Sequence, residues 1–232
     1  MGSCGSSNGD GEELKKALNV IEENAPPIVK NCVTKKSEIN NKKEILLKER
    51  AEKVEQADKS NKEQLQSLLK EYNIKELNID KEYIENEVEK LHSLWNLGID
   101  LSGPVKNEIV AQLEKRAKKC SLCGCCVTNI ANRVKNYTPS QFLKSEFGAP
   151  LRAALEKQGM NKQILIDTKN ELINDRKKRR EEERNKYNID VNEFPPDDEF
   201  DINEDELSKI IFNEYKDEIE NPFGNIFKKN KL

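Results

Sequence analysis

The chain has 232 residues, of which 35% are hydrophobic and 36% charged, and its formal net charge is −3. With glycine included, the apolar share is roughly 39%, below the ~45–50% of ordinary globular domains, so we do not expect a large compact core. No run approaches the ~18 apolar residues that cross a bilayer, and no secretory signal is recognisable, so we expect a cytosolic protein.

These limits favour an all-α, elongated molecule with a long charged N-terminal helix, a small bundle of short capped helices and an acidic tail. Bases outnumber acids 18 to 9 over residues 111–188, whereas acids outnumber bases 13 to 5 over 189–232. The sequence pattern predicts a flexible acylated leader over 1–11, a charged helical, coiled-coil-like region over 12–79, a compact helical domain over 80–173, a charged helical extension over 174–188 and the acidic tail over 189–232.

The first residues fit the pattern for N-myristoylation, M-G-x-x-x-[ST], with Gly2 as the acylated residue and Ser6 completing the match. One myristoyl chain binds membranes only marginally, and Cys4 offers a second signal through S-palmitoylation. This terminus resembles the dual-acylated termini of Src-type kinases and of G-protein α subunits, over these few residues only. The alternative is an ordinary Gly/Ser leader.

An apolar stripe from Leu14 to Ile21 predicts a short helix that ends before Pro26 and Pro27, which would form a hinge. No Pro or Gly occurs over 28–72, which predicts a long charged helix. Its apolar seam is too poor for a two-stranded coiled coil, so we expect a solitary helix or one that packs along short patches.

Asp80 is predicted to cap the next helix, on which Trp95 serves as a packing anchor. Gly98 and the Ser-Gly-Pro segment 102–104 are predicted to end that helix and begin another, so that the two form an αα-hairpin. The single histidine, His92, has no second histidine to pair with, and we expect it on the helix surface.

A cluster of cysteines follows a group of bases. The bases are Lys115, Arg116, Lys118 and Lys119, predicted to attract an anionic membrane surface, and the cysteines are Cys120, Cys123, Cys125 and Cys126. Four interpretations stay open: a zinc site, although no second ligand pair is near; redox chemistry; S-acylation beside the bases; and thiols buried as small hydrophobes. We favour S-acylation. The segment resembles the cysteine clusters of palmitoylated SNARE proteins of the SNAP type.

Short capped helices are predicted next. Thr138 and Gln141 form a capping box with Pro139 at the first helical position, and a second short helix begins at Pro150 and closes at Gly159.

Five consecutive bases occupy 176–180. They could bind phosphate or act as a nuclear signal, but no aromatic residues interleave to stack bases. We therefore favour an exposed helix face with pairs such as Arg179 with Glu183, and nucleic acid is not expected as a partner.

The acidic tail imitates the start of a calcium-binding EF-hand loop over 201–205, but Glu206 and Phe212 replace the required Gly and Glu, so calcium is not expected. We instead expect an amphipathic helix that folds back on the basic middle or enters a partner's groove. The residues predicted to contact a partner are Leu207, Ile210, Ile211 and Tyr215.

No P-loop, dinucleotide-binding motif, nucleophile elbow or kinase signature is present, so we expect no enzyme, cofactor or metal. The favoured function is a lipid-anchored helical adaptor or scaffold on the cytosolic face of the plasma, ciliary or an internal membrane. The alternative is a structural component of a cytoskeletal or ciliary assembly, with a microtubule or other filament as its partner. A nucleic-acid binder is the third hypothesis.

Overall fold

The computed structural model describes residues 11–119, 124–190, 192 and 194. In this part of the chain every regular element is helical, which confirms the all-α class and the long N-terminal helix. The elements are α1 (Glu12–Gln56), α2 (Lys62–Lys119), α3 (Gly124–Lys135), α4 (Pro139–Lys144), a 3₁₀ helix (Glu146–Gly148), α5 (Ala149–Lys157) and α6 (Lys162–Tyr187).

Helix α1 continues through Pro26 and Pro27, so the predicted hinge at these prolines is wrong. Prolines inside a helix lack the N–H groups that would bond to the carbonyls four residues earlier, here those of Glu22 and Glu23. Both glutamates are exposed, so water can solvate their carbonyls. Burial of Ala25 on the same turn favours continuation of the helix.

Helix α2 likewise continues through Gly98 and Pro104, so the predicted helix end and the hairpin at this point are wrong. A Cβ on Gly98 would lie 2.6 Å from Leu155 Cδ1 and 2.8 Å from Leu143 Cδ2. The Ser102 hydroxyl donates a hydrogen bond of 2.7 Å to the Gly98 carbonyl. Gly98 therefore permits close packing of leucines against α2 and does not end the helix.

A turn at 57–61 separates the two long helices, so the predicted single helix over 28–72 is wrong. Asp58 Oδ1 accepts a hydrogen bond of 2.9 Å from the Ser60 N–H, and Asn61 Oδ1 accepts one of 3.1 Å from the Gln64 N–H. The side chain of Asn61 thus caps the start of α2.

The described residues fall into two compact units. The first contains 11–26, 93–119 and 124–160, and the second contains 27–92 with 161–190, 192 and 194. Each unit has its own buried residues.

The short helices of the first unit begin as predicted. The Thr138 hydroxyl accepts a hydrogen bond of 3.1 Å from the Gln141 N–H, and the Gln141 side chain accepts one of 2.9 Å from the Thr138 N–H, which confirms the capping box. Pro139 is the first residue of α4, and Gly159 follows α5 with φ +94°. Trp95 is buried, as expected of a packing anchor. The core of this unit includes Ile21, Leu94, Val105, Phe142, Leu143, Leu151, Leu155 and Met160.

The helices of the second unit are residues 27–56 of α1, residues 62–92 of α2 and helix α6. Ion pairs join Lys35 to Glu89 at 2.8 Å and Lys42 to Glu82 at 2.6 Å, so α2 runs antiparallel to α1. Helix α1 therefore packs against a helix of its own chain. Five buried hydrophobic residues of this unit form what we call the apolar cluster: Val54, Leu65, Leu69, Ile189 and Phe194.

Candidate functional site

In the first unit, one carboxylate holds the start of α1. Glu108 of α2 accepts hydrogen bonds of 2.9–3.3 Å from the backbone N–H groups of residues 11–14. The first turn of a helix has N–H groups without helical partners, and a negative charge there also interacts favourably with the helix dipole. Glu108 therefore fixes the point at which the N-terminal leader joins the folded chain.

The predicted basic residues lie in the last turns of α2, in the same unit. Each of them is exposed: Lys115, Arg116, Lys118 and Lys119. Cations at a helix C-terminus interact favourably with the helix dipole, which is compatible with this placement.

The described cysteines of the cluster are exposed. Cys125 and Cys126 lie in the first turn of α3, and their Sγ atoms are 3.9 Å apart. The interaction with Cys125 raises the pKa of the Cys126 thiol, so at neutral pH this thiol is less ionised than an ordinary cysteine. Of the four interpretations, burial at a helix junction is wrong for these two residues. Cys120 and Cys123 lie outside the described residues.

The structure leaves other predicted sites undescribed. Gly2 and Cys4, the proposed acylation sites, lie outside the described residues. So do the predicted partner-contact residues, Leu207, Ile210, Ile211 and Tyr215. Within residues 11–119 and 124–190, no cluster of His, Cys, Asp or Glu side chains could hold a metal ion.

In the second unit, the bases of the run 176–180 are not all exposed, contrary to the prediction. Arg176 and Arg180 are buried, Arg179 is half-buried, and only Lys177 and Lys178 are exposed. The three arginines therefore point toward α2 or the unit's interior, not into solvent. The predicted pairing of Arg179 with Glu183 is wrong, because each side chain has another partner.

Asp80 is one of these partners, and its predicted role as a helix cap is wrong. It lies inside α2 and is 1% exposed. Its Oδ1 atom lies 2.6 Å from Lys43 Nζ, and its Oδ2 atom lies 3.5 Å from Arg176 Nε. Burial raises the pKa of the Asp80 carboxyl, and the charge of Lys43 opposes that rise.

Glu76, one turn earlier on α2, joins three cations. Its carboxylate lies 2.6 Å from Arg179 Nη2, 3.5 Å from Arg50 Nη1 and 3.6 Å from Lys43 Nζ. Arg50 also pairs with Glu183 of α6. Burial lowers the pKa of the Arg50 guanidinium, an effect that Glu76 opposes.

These side chains form what we call the charge network. It joins cations of α1 and α6 to carboxylates of α2 and α6. Because water is largely excluded there, every ion must be compensated by its neighbours. The cations are Lys43, Arg50, Arg176 and Arg179, and the anions are Glu76, Asp80 and Glu183. Beside them, the Arg180 guanidinium donates a hydrogen bond of 3.4 Å to Asn73 Oδ1.

An open cleft of about 300 Å³ lies beside this network, within the second unit. One part of its wall is apolar and the other is charged, so the cleft suits an amphipathic ligand. The lining residues are Leu47, Arg50, Ala51, Val54, Leu69, Arg179, Glu182, Glu183, Lys186 and Tyr187.

The charge network was not predicted from the sequence, because the spacing of its members is also typical of charged residues on a helix surface. A usable signal was present on α2, where Leu69, Asn73, Glu76 and Asp80 follow one another at spacings of three and four. Charged residues that continue an apolar stripe face the same neighbours as that stripe.

Among the residues that the structure describes, no helix combines the length and the apolar character needed to cross a bilayer. Comparison with protein-family models, with curated proteins and with solved structures finds no match.

Proposed function

We propose that the chain is a lipid-anchored helical adaptor on the cytosolic face of a membrane, where it binds protein partners. The exposed position of Cys125 and Cys126 carries the proposal. The same unit contains the fixed start of α1 at Glu12, ten residues after Gly2, and the exposed bases Lys115, Arg116, Lys118 and Lys119.

The physical argument rests on the weakness of a single lipid. One myristoyl chain gives marginal, reversible binding, so stable attachment needs a second acyl chain or a basic surface. Cys4 and the exposed cysteines provide acceptors for a second chain. Each exposed base near an anionic membrane adds about 1 kcal/mol of attraction.

The adaptor role follows from the predicted amphipathic segment with Leu207, Ile210, Ile211 and Tyr215. An apolar helix face of this kind binds in a hydrophobic groove of a partner. In this proposal the protein is a binding protein, without a catalytic reaction, a metal or a cofactor.

Fractionation of cells that express Gly2→Ala tests the anchor. We expect the variant to move from the membrane to the soluble fraction, because the acylated amine of Gly2 is lost. Gly5→Ala is the matched control, since it makes the same change outside the acylated position. Equal membrane retention of wild type and Gly2→Ala would exclude the proposal. Retention of the protein on a detergent-insoluble filament fraction would instead favour a cytoskeletal or ciliary component.

The intact mass of protein purified from the cells that naturally produce it tests whether the cysteines are acylated. We expect a myristoyl increment and one or more palmitoyl increments, the latter removed by hydroxylamine. The Cys125→Ser/Cys126→Ser double variant should carry fewer palmitoyl groups than wild type. An unchanged palmitoyl content in that variant would exclude these two acceptors, and zinc retained in a native mass spectrum would favour the metal interpretation.

A further inference from the structure

Helices α2 and α3 form an antiparallel hairpin within the first unit. At one end, Lys106 Nζ of α2 donates a hydrogen bond of 2.9 Å to the carbonyl of Tyr137, which follows the end of α3. At the other end, a Cβ on Gly124 would lie 2.8 Å from the Ala117 carbonyl oxygen, so the first residue of α3 lies against the last turns of α2. This second end therefore combines the exposed bases of α2 with the exposed thiols of α3.

This end of the hairpin, here called the hairpin tip, consists of residues 111–119 and 124–132 and is positively charged. It contains four bases and a single acid, all of them exposed. Three of the bases form no ion pair with any carboxylate in the described part of the chain: Lys115, Lys118 and Lys119. Their charges are therefore available to an anionic partner.

The composition of the hairpin tip favours a lipid surface over a nucleic acid. Residues 124–132 carry no charge, and neither half of the tip contains an aromatic residue that could stack on a base. What α3 presents there is a pair of exposed thiols, Cys125 and Cys126. Clustered lysines bind the anionic lipids of a cytoplasmic leaflet through their charge. We infer that the hairpin tip docks on anionic phospholipid, such as phosphatidylserine, before any acyl chain is attached.

Docking through charge precedes S-acylation in this scheme. The inference rests on the proposed membrane location, but it requires no acyl chain and so can fail or hold separately from the anchor at Gly2. Each base near an anionic membrane strengthens partitioning about fivefold. The contact brings Cys125 and Cys126 to the lipid surface, where an acyl chain on either thiol can insert. The bases thus select the membrane, and the acyl chain makes the attachment lasting.

Sedimentation of the full-length, unacylated protein with lipid vesicles tests this inference. We expect binding to phosphatidylcholine vesicles that contain phosphatidylserine, and none to vesicles of phosphatidylcholine alone. Raising the salt concentration from about 0.1 M to about 1 M should abolish the binding, because the Debye length falls from about 10 Å to about 3 Å. The double change Lys118→Gln/Lys119→Gln should weaken the binding at least about tenfold, since two bases are lost.

Lys177→Gln/Lys178→Gln is the matched control, because these adjacent lysines are also exposed but lie on α6. Bound vesicles should also slow the alkylation of Cys125 and Cys126 by a charged, water-soluble maleimide, as read from peptide masses.

The inference is overturned if vesicles with and without phosphatidylserine bind equally, or if the two double variants lose equal affinity. Thiols that react equally fast with and without bound vesicles would also overturn it, since the contact would then lie elsewhere. Tighter binding to an oligonucleotide or to polyglutamate than to the anionic vesicles, at the same salt concentration, would identify another class of partner and overturn it as well.

Discussion

Removing a buried carboxylate from among several cations destabilises a protein mainly because it leaves those cations buried without a counter-charge. Glu76 is 1% exposed and contacts Arg179, Arg50 and Lys43. We expect Glu76→Gln to lower the free energy of unfolding by about 3–5 kcal/mol, because the neighbouring cations stay buried without their carboxylate. Urea unfolding measures the loss.

The surface pair between Lys42 and Glu82 provides the control. These side chains are 55% and 46% exposed, and their charged atoms are 2.6 Å apart. Because solvent screens such pairs, Glu82→Gln should cost less than about 1 kcal/mol. Similar losses in both variants would mean that the charge network is not desolvated.

The charge network also explains where residue-level prediction failed. Arg179 and Glu76 are 103 positions apart in sequence. The spacing of Arg176, Arg179 and Arg180 is the same whether a helix face is solvated or packed, so the local pattern alone could not reveal the partner on α2. The capping box at Thr138 was predictable because all its hydrogen bonds lie within four residues.

At the scale of elements, the first turn of α1 depends on a residue of α2. Gln at position 108 has one acceptor oxygen and no charge, so it cannot satisfy the same four N–H groups. We expect Glu108→Gln to lower the free energy of unfolding by about 1–2 kcal/mol and to accelerate exchange of the amides of residues 11–14. Glu114→Gln, an exposed change on the same helix, is the control. Unchanged exchange in Glu108→Gln would contradict the observed hydrogen bonds.

Replacing the two prolines inside α1 is predicted to stabilise the protein. A proline inside a helix costs about 3 kcal/mol relative to alanine, and about 1 kcal/mol of the gain is lost because alanine makes the unfolded chain more flexible. Since Pro26 and Pro27 are exposed, we expect the double change to alanine to raise the free energy of unfolding by about 4 kcal/mol. Chemical denaturation compares it with Lys30→Ala, another exposed change on α1. No gain would indicate that the helix is interrupted there in solution.

The helix ends that were wrongly predicted at prolines and glycines had one cause. Pro26, Pro27, Gly98 and Pro104 are local signals for the end of a helix, and each was overridden by packing. Gly98 in particular leaves room for Leu143 and Leu155, which come from helices more than forty residues later. Such contacts have no counterpart in the sequence around the glycine, whereas the ends of α4 and α5 depend on neighbouring residues.

For the whole molecule, composition predicted the class of fold correctly. A chain with as many charged as hydrophobic residues can bury narrow stripes on helices, and the described part of the chain does so. Composition did not predict that some of those stripes would contain charged side chains, because a residue can be buried without being apolar. Buried arginines explain part of the apolar shortage, since they occupy interior positions that hydrophobic residues usually fill.

The hydrogen bonds from the first turn of α1 to Glu108 also set a distance. Gly2 lies nine residues before Gly11, the first residue bonded to Glu108. Nine residues span at most about 32 Å when fully extended. If Gly2 carries an acyl chain, the length of the leader limits the distance between the first unit and the lipid surface. The number of leader residues therefore sets an upper limit on that distance, which inserting residues before Gly11 would raise and acylation of Cys125 or Cys126 would shorten.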